Sequence, residues 1–436
     1  MKHFICTFIP VLVLVLALGG EKSLQAYPLD GYFSTNIQRL EGVLKVQQGK
    51  IPGKKLSAGA LLDTQKVDLR LINHSEMQIP APDAELTDRI LALLGEDAKE
   101  YGIAVLDITE PKAPRYAASL GGFKANPGSV GKLIVALGVF QALADIYPND
   151  LEKRLDILRT TMVTADAFIQ NDSHKVPFWA GGNKAIQYRP IRQGDSASLW
   201  TWLDWMLSAS SNAAAAMVQK ELLLINRFGK DYPVAEKVSQ SFFNETPKKD
   251  LGEWFTKSIQ DPITRNNLNL KTFRQGSFFT RKGKSMVPGT TSYATPQSLI
   301  EFLLKLEQGK LVDPFSSREI KRLIYMTARR IRYASSPALS GAAVYFKSGS
   351  LYKCRPESGF VCKKYQGNEL NLLCSVAIVE HPASTHRLHY MVAVISNVVR
   401  KNSALAHQTL ATRVHQLIEK DYEKKESIPG KGHSQK

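Results

Sequence analysis

Gly128-Ser129-Val130-Gly131-Lys132-Leu133-Ile134-Val135-Ala136 is the stretch on which the reading of this chain turns. It holds a Ser-x-x-Lys pattern at the head of an apolar, alanine-rich run that predicts a helix over residues 130–146. A serine at a helix start lies where backbone N–H groups and the helix dipole favour developing negative charge. A lysine three residues later shares its face and can act on the hydroxyl proton. The pattern alone is weak, because ordinary residue frequencies give about two chance matches in a chain of this length. Ser350-Leu351-Tyr352-Lys353 is a second match.

Two later patterns change its weight. Ser210-Ser211-Asn212 lies between helical stretches predicted at 198–207 and 213–224. Its hydroxyl and carboxamide suit proton transfer and the holding of a substrate amide, although by itself it reads as ordinary cap chemistry. Lys347-Ser348-Gly349-Ser350 ends a β-rich run over 342–350. There a lysine supplies positive potential, a hydroxyl can bind a carboxylate, and glycine lets a ligand lie against the strand. Ser-x-x-Lys at a helix start, Ser-x-Asn between helices and Lys-Ser-Gly on a late strand, in that order, resemble the class A β-lactamases and penicillin-binding proteins. Gly194-Asp195-Ser196, Ala213-Ala214-Ala215 and Tyr293-Ala294-Thr295-Pro296 extend the resemblance, which covers residues 81–423.

The resemblance implies a serine hydrolase in which Ser129 attacks a β-lactam or a D-alanyl-D-alanine peptide and forms an acyl-enzyme. Lys132 would be the base or orient it, and Ser210 would pass a proton to the leaving nitrogen. Asn212 would hold the substrate amide, Lys347 with Ser348 would bind the carboxylate end, and Gly349 would let the substrate lie against the strand. The backbone N–H groups of Ser129 and Ser350 would form the oxyanion hole. Arg332 is a candidate second carboxylate anchor, with a surface position beside Arg329 and Arg330 the favoured alternative. The chain departs from the family in two places. Between Trp254 and Ile300 it has no glutamate, and Asp261 is the only acid, so a water-activating carboxylate is missing and deacylation should be slow. The 149–193 segment is longer than class A enzymes usually have.

Element patterns agree with an α+β fold, an antiparallel sheet built from N- and C-terminal strands, flanked by helices, with an all-α half. Strands are predicted at 101–108, 115–120, 342–350, 372–380 and 390–397. Further helices are predicted at 83–95, 295–309, 318–329 and 403–422. Trp200, Trp202 and Trp205 read as core.

Residues 1–26 have the layout of a secretory signal cleaved near Ala26, with a signal anchor as the competing reading because the apolar run is only slightly short of a membrane span; cleavage predicts a periplasmic or extracellular protein. Residues 27–80 carry no catalytic motif, and 424–436 read as a charged, disordered tail. No later run is read as long enough to cross a membrane. Beyond the signal remain Cys354, Cys362 and Cys374: Cys354 and Cys362 bracket a turn and are the disulfide candidates, and Cys374 reads as a buried thiol. A net charge of +17 favours anionic surroundings, but the basic residues are scattered and no nucleic-acid motif accompanies them. No cofactor motif is present. An α/β-hydrolase elbow fails at Pro127, and His386-Arg387-Leu388-His389, the only close histidine pair, reads as a turn or surface pair rather than a metal site. The remaining rival is a non-hydrolytic penicillin-binding sensor of the same fold. Oligomeric state is not encoded in any of these patterns.

Overall fold

Strand β1 (Tyr101–Asp107) is apolar on both sides: Ile103 and Val105 point one way, Ala104 and Leu106 the other, and all four are fully buried. A strand of that kind requires cover on both faces. The computed structural model, which describes residues 30–325 and 330–427, provides it. With β2 (Arg115–Ser119), β3 (Ala343–Lys353), β4 (Leu370–His381) and β5 (Leu388–Ser396), β1 forms one antiparallel sheet in the order β2-β1-β5-β4-β3. Its central pairing sets Tyr101 opposite Ser396, so the two ends of the fold meet in the middle of the sheet.

On one face lie the Ala84–Leu94 and Ser403–Glu426 helices, through Leu86, Ile90, Leu410, Val414 and Ile418. Asp83 caps the first by accepting from the Leu86 N–H at 2.9 Å. The other face carries the all-α half, which includes Lys132–Ile146, Leu199–Leu207, Asn212–Phe228, Lys248–Arg265, Pro296–Glu307 and Pro314–Tyr325. Thr295 and Ser298 close a capping box at the Pro296 helix. The helix expected at 318 begins four residues earlier, because Pro314 suits a first position and Asp313 accepts from the Ser316 N–H at 2.7 Å. Residues 326–329 fall outside the described residues, as do the 1–26 signal and 428–436. Gly128–Ile146 is, against the sequence reading, apolar and long enough to cross a bilayer, but most of it is buried in the main core. The three tryptophans are core residues, with Trp202 Nε1 donating to the Val163 carbonyl at 3.0 Å and Trp205 Nε1 to Pro177 at 3.1 Å.

Residues 30–80 are built into the fold. Ile37, Leu40, Leu62, Val67 and Leu71 join the main core, and Arg39 makes a two-pronged ion pair with Asp204 at 2.6 Å, with the two side chains 4% and 0% exposed. Removing one partner strands a buried charge, so Arg39→Ala is expected to cost about 3–5 kcal/mol in urea unfolding. A cost below about 1 kcal/mol would show that water reaches Asp204. Further along, Lys321 Nζ lies 2.5 Å from Glu307, 2.7 Å from Glu380 and 2.7 Å from the Asp68 carbonyl. His389 borders this group at 3.6 Å from Glu307 and is 5% exposed, so it is not the surface histidine its sequence context suggested.

Candidate active site

Ser129 sits in a short 3-10 turn, Gly128–Gly131, that leads straight into the Lys132–Ile146 helix. The turn is pressed against β3, and two glycines allow it. Gly128 has φ +54°, and a Cβ there would stand 3.1 Å from the Ser350 amide nitrogen. A Cβ on Gly349 would stand 2.1 Å from the Pro127 carbonyl and 2.3 Å from the Ser129 nitrogen. The Ser129 and Ser350 amides therefore come together beside the Ser129 hydroxyl, where two N–H donors can meet an oxyanion.

Lys132 is fully buried, and its Nζ lies 2.9 Å from Ser129 Oγ, 2.8 Å from the Ser210 carbonyl and 2.8 Å from Asn212 Oδ1. The last two can only accept. A free amine gives them its two hydrogens and keeps its lone pair for the Ser129 proton. Burial pushes the Lys132 pKa down to about 7; Asp172 opposes the shift and Arg332 adds to it. Ser210, at φ +60°, turns its hydroxyl to Lys347, whose Nζ donates to it at 2.8 Å. Lys347 is itself held well below the usual lysine range, by burial first and then by Lys132 and Arg332. Ser348 lies beside it on β3.

Arg332 belongs to this cluster and not to the surface. At φ +52° it donates to Ser348 Oγ, to Ser350 Oγ at 3.2 Å and to the Tyr365 hydroxyl at 3.0 Å, and its guanidinium lies 4.9 Å from the Tyr365 ring centre. Tyr365 stands on the loop between β3 and β4. Cys354 and Cys362 are joined there, with an S–S distance of 2.05 Å, while Cys374 is a free, buried thiol whose pKa burial pushes up. A serine, two lysines of depressed pKa and an arginine thus converge on one site.

The sequence profile of the beta-lactamase enzyme family matches residues 85–416. The chain belongs to that family. As a member of the beta-lactamase enzyme family it is a serine hydrolase of the β-lactamase type. Among solved structures it is similar to PBP-A, at 14% identity and a TM-score of 0.50, over 79% of this chain and 99% of that one. It is also similar to a class A β-lactamase from Bacteroides cellulosilyticus DSM 14838, at 13% identity and a TM-score of 0.50, again over 79% of this chain and 99% of that one. Identities this low show the shared fold alone. No curated protein matches in sequence.

Within the family the second motif is written Ser-Asp-Asn. Here Ser211 takes the middle place, and a carboxylate arrives from the 149–193 segment instead. Asp172 Oδ2 accepts from Ser211 Oγ at 2.9 Å and the Ala213 N–H at 2.8 Å, and its Oδ1 lies 2.5 Å from His174 Nδ1. Its side chain is 4% exposed, and although burial opposes it, these hydrogen bonds and His174 hold its pKa down at about 2. Sequence reasoning missed Asp172; the missing motif acid was the only signal for it. Phe279 was missed too, and its ring centre lies 4.8 Å from Lys132 Nζ.

Asp172 pins the Ser210–Asn212 turn and raises the Lys132 pKa. Asp172→Asn keeps the shape and removes the charge. The pH at which acylation is half-maximal is expected to move to lower values, as Lys132 loses its proton more easily, while the plateau rate falls roughly tenfold through loosened positioning. Rates of penicillin labelling against pH would read both effects, and an unmoved profile would limit Asp172 to packing.

Proposed function

We propose that the protein forms an acyl-enzyme at Ser129 with β-lactams or D-alanyl-D-alanine-type cell-wall peptides and hydrolyses it slowly. The observation that carries this reading is the pairing of Ser129 Oγ with a buried Lys132 amine 2.9 Å away. Lys132 takes the hydroxyl proton as Ser129 attacks the carbonyl, and the Ser129 and Ser350 amides hold the oxyanion. Ser210, bridging toward Lys347, passes a proton to the departing nitrogen. Lys347, Ser348 and Arg332 receive the carboxylate beyond the scissile bond, and Asn212 holds the amide on the other side.

Slow release follows from what surrounds Lys132. Class A β-lactamases use a glutamate for deacylation, and the residues 254–300 supply none. The Phe279 ring covers Lys132 there, and an apolar ring cannot activate water. Export to the periplasm or beyond accompanies this proposal, supported by the layout of residues 1–26 and by a disulfide suited to an oxidising compartment.

Intact-mass spectra over time, with a β-lactam and separately with a D-alanyl-D-alanine peptide, test the proposal. The expected β-lactam result is a one-to-one adduct that persists for minutes or longer. Free enzyme restored within seconds would refute slow deacylation. Turnover of the peptide marks a peptidase, whereas a trapped adduct with no product marks a sensor.

A further inference from the structure

At the far end of β4, His381 faces the Ser403–Glu426 helix, on which His415 and Glu419 stand one turn apart on the same side. The two histidine rings meet edge to face, with centroids 4.8 Å apart and planes at 88°. His381 Nε2 is 4.0 Å from Glu419 Oε1, and one ligand atom of each of the three residues lies within 4.8 Å of the other two.

Two further features prepare these groups to bind an ion. His415 is 2% exposed, and its Nδ1 lies 3.0 Å from the Tyr390 hydroxyl. An Nδ1–H donated to Tyr390 leaves the Nε2 lone pair available, which is how metal-binding imidazoles are commonly fixed. Among the described residues, none of the three is neutralised by a lysine or arginine in an ion pair. The Glu307, Glu380 and His389 group differs in this respect, since Lys321 fills its centre.

We propose that His381, His415 and Glu419 form a binding site for one borderline divalent cation such as Zn²⁺. Two imidazoles and one carboxylate are a ligand set for that class of ion, with the fourth tetrahedral position left to water, whereas Ca²⁺ and Mg²⁺ prefer oxygen. Zinc–ligand bonds of about 2.0–2.1 Å bring ligand atoms to roughly 3.3 Å from one another. The Glu419 side chain, 40% exposed, has room to swing inward. The site ties the last helix to the end of β4. It is six residues along the strand from Ser375, the partner of Ser348, which is roughly 20 Å from the candidate active site. The ion therefore acts on the fold and not on the chemistry at Ser129.

The test uses the full chain, stripped with a chelator and titrated with Zn²⁺ against a chromophoric competitor. The native protein is expected to take up one equivalent and to melt at a higher temperature with zinc than without. His381→Gln and Glu419→Gln, both at partly exposed positions, are expected to weaken binding at least tenfold and to abolish the zinc-dependent shift while melting normally without metal. If one variant fails to fold, the other carries the test. Absence of binding to the native chain overturns the proposal, as does binding unchanged in the folded variants.

Discussion

Ser129→Ala is expected to take up no covalent label from a fluorescent penicillin under conditions in which the native chain is labelled one-to-one. The Ser129 hydroxyl lies 2.9 Å from the Lys132 amine and beside the paired Ser129 and Ser350 amides, and Ser129→Ala removes the oxygen on which the proposed acyl group forms. The substitution removes one atom from a partly exposed side chain. The Gly128–Gly131 turn and the buried Val130 beside it are kept, so the variant should fold as the native chain does. Undiminished labelling would sink the assignment of Ser129, and unchanged melting would show that the loss, if found, is chemical.

Lys132→Met has the next largest expected effect, a fall in acylation of about 10²–10⁴-fold, the usual contribution of a positioned base. Methionine fills much of the same buried space without a lone pair. The native enzyme supplies a second reading of the same residue. In the proposed mechanism the base is the free amine, and burial brings the Lys132 pKa down to about 7. Acylation should therefore be slow in acid, rise through neutrality and level off above it. Labelling rates from about pH 5 to pH 9 would show that limb, and a flat profile would exclude Lys132 as the base.

The candidate site was legible where residues of one cluster stand at short spacings, as at Ser129 with Lys132, Ser210 with Asn212, and Lys347 with Ser348. The late strands were legible because β-branched and apolar residues fill both faces, and β3 begins and β5 ends within a residue of expectation. What escaped has no local pattern. Asp172 and Phe279 reach Lys132 only through tertiary packing. Arg332 looked like one arginine among three until the fold set it against Ser348 and Tyr365. The Lys248–Arg265 helix contains Gly252 and Pro262, poor helix formers in an interior, and packing overrides them. Residues 30–80 drew no assignment because their anchors, Arg39 to Asp204 and Arg70 to Glu380, join positions far apart in sequence.

The middle of the sheet has a bearing on how the molecule is made. The β1–β5 pairing, Tyr101 to Ser396, joins segments separated by the whole helical half, and a long loop must close before that pairing returns any stability. The helices between can begin to pack while the last strands are still being synthesised. Assembly should then be gated by arrival of the C-terminal hairpin, with β1 and β2 an unfinished ribbon until it comes. A chain ending before residue 388 would lack the strand that joins the two parts of the sheet and would expose the edge of β1.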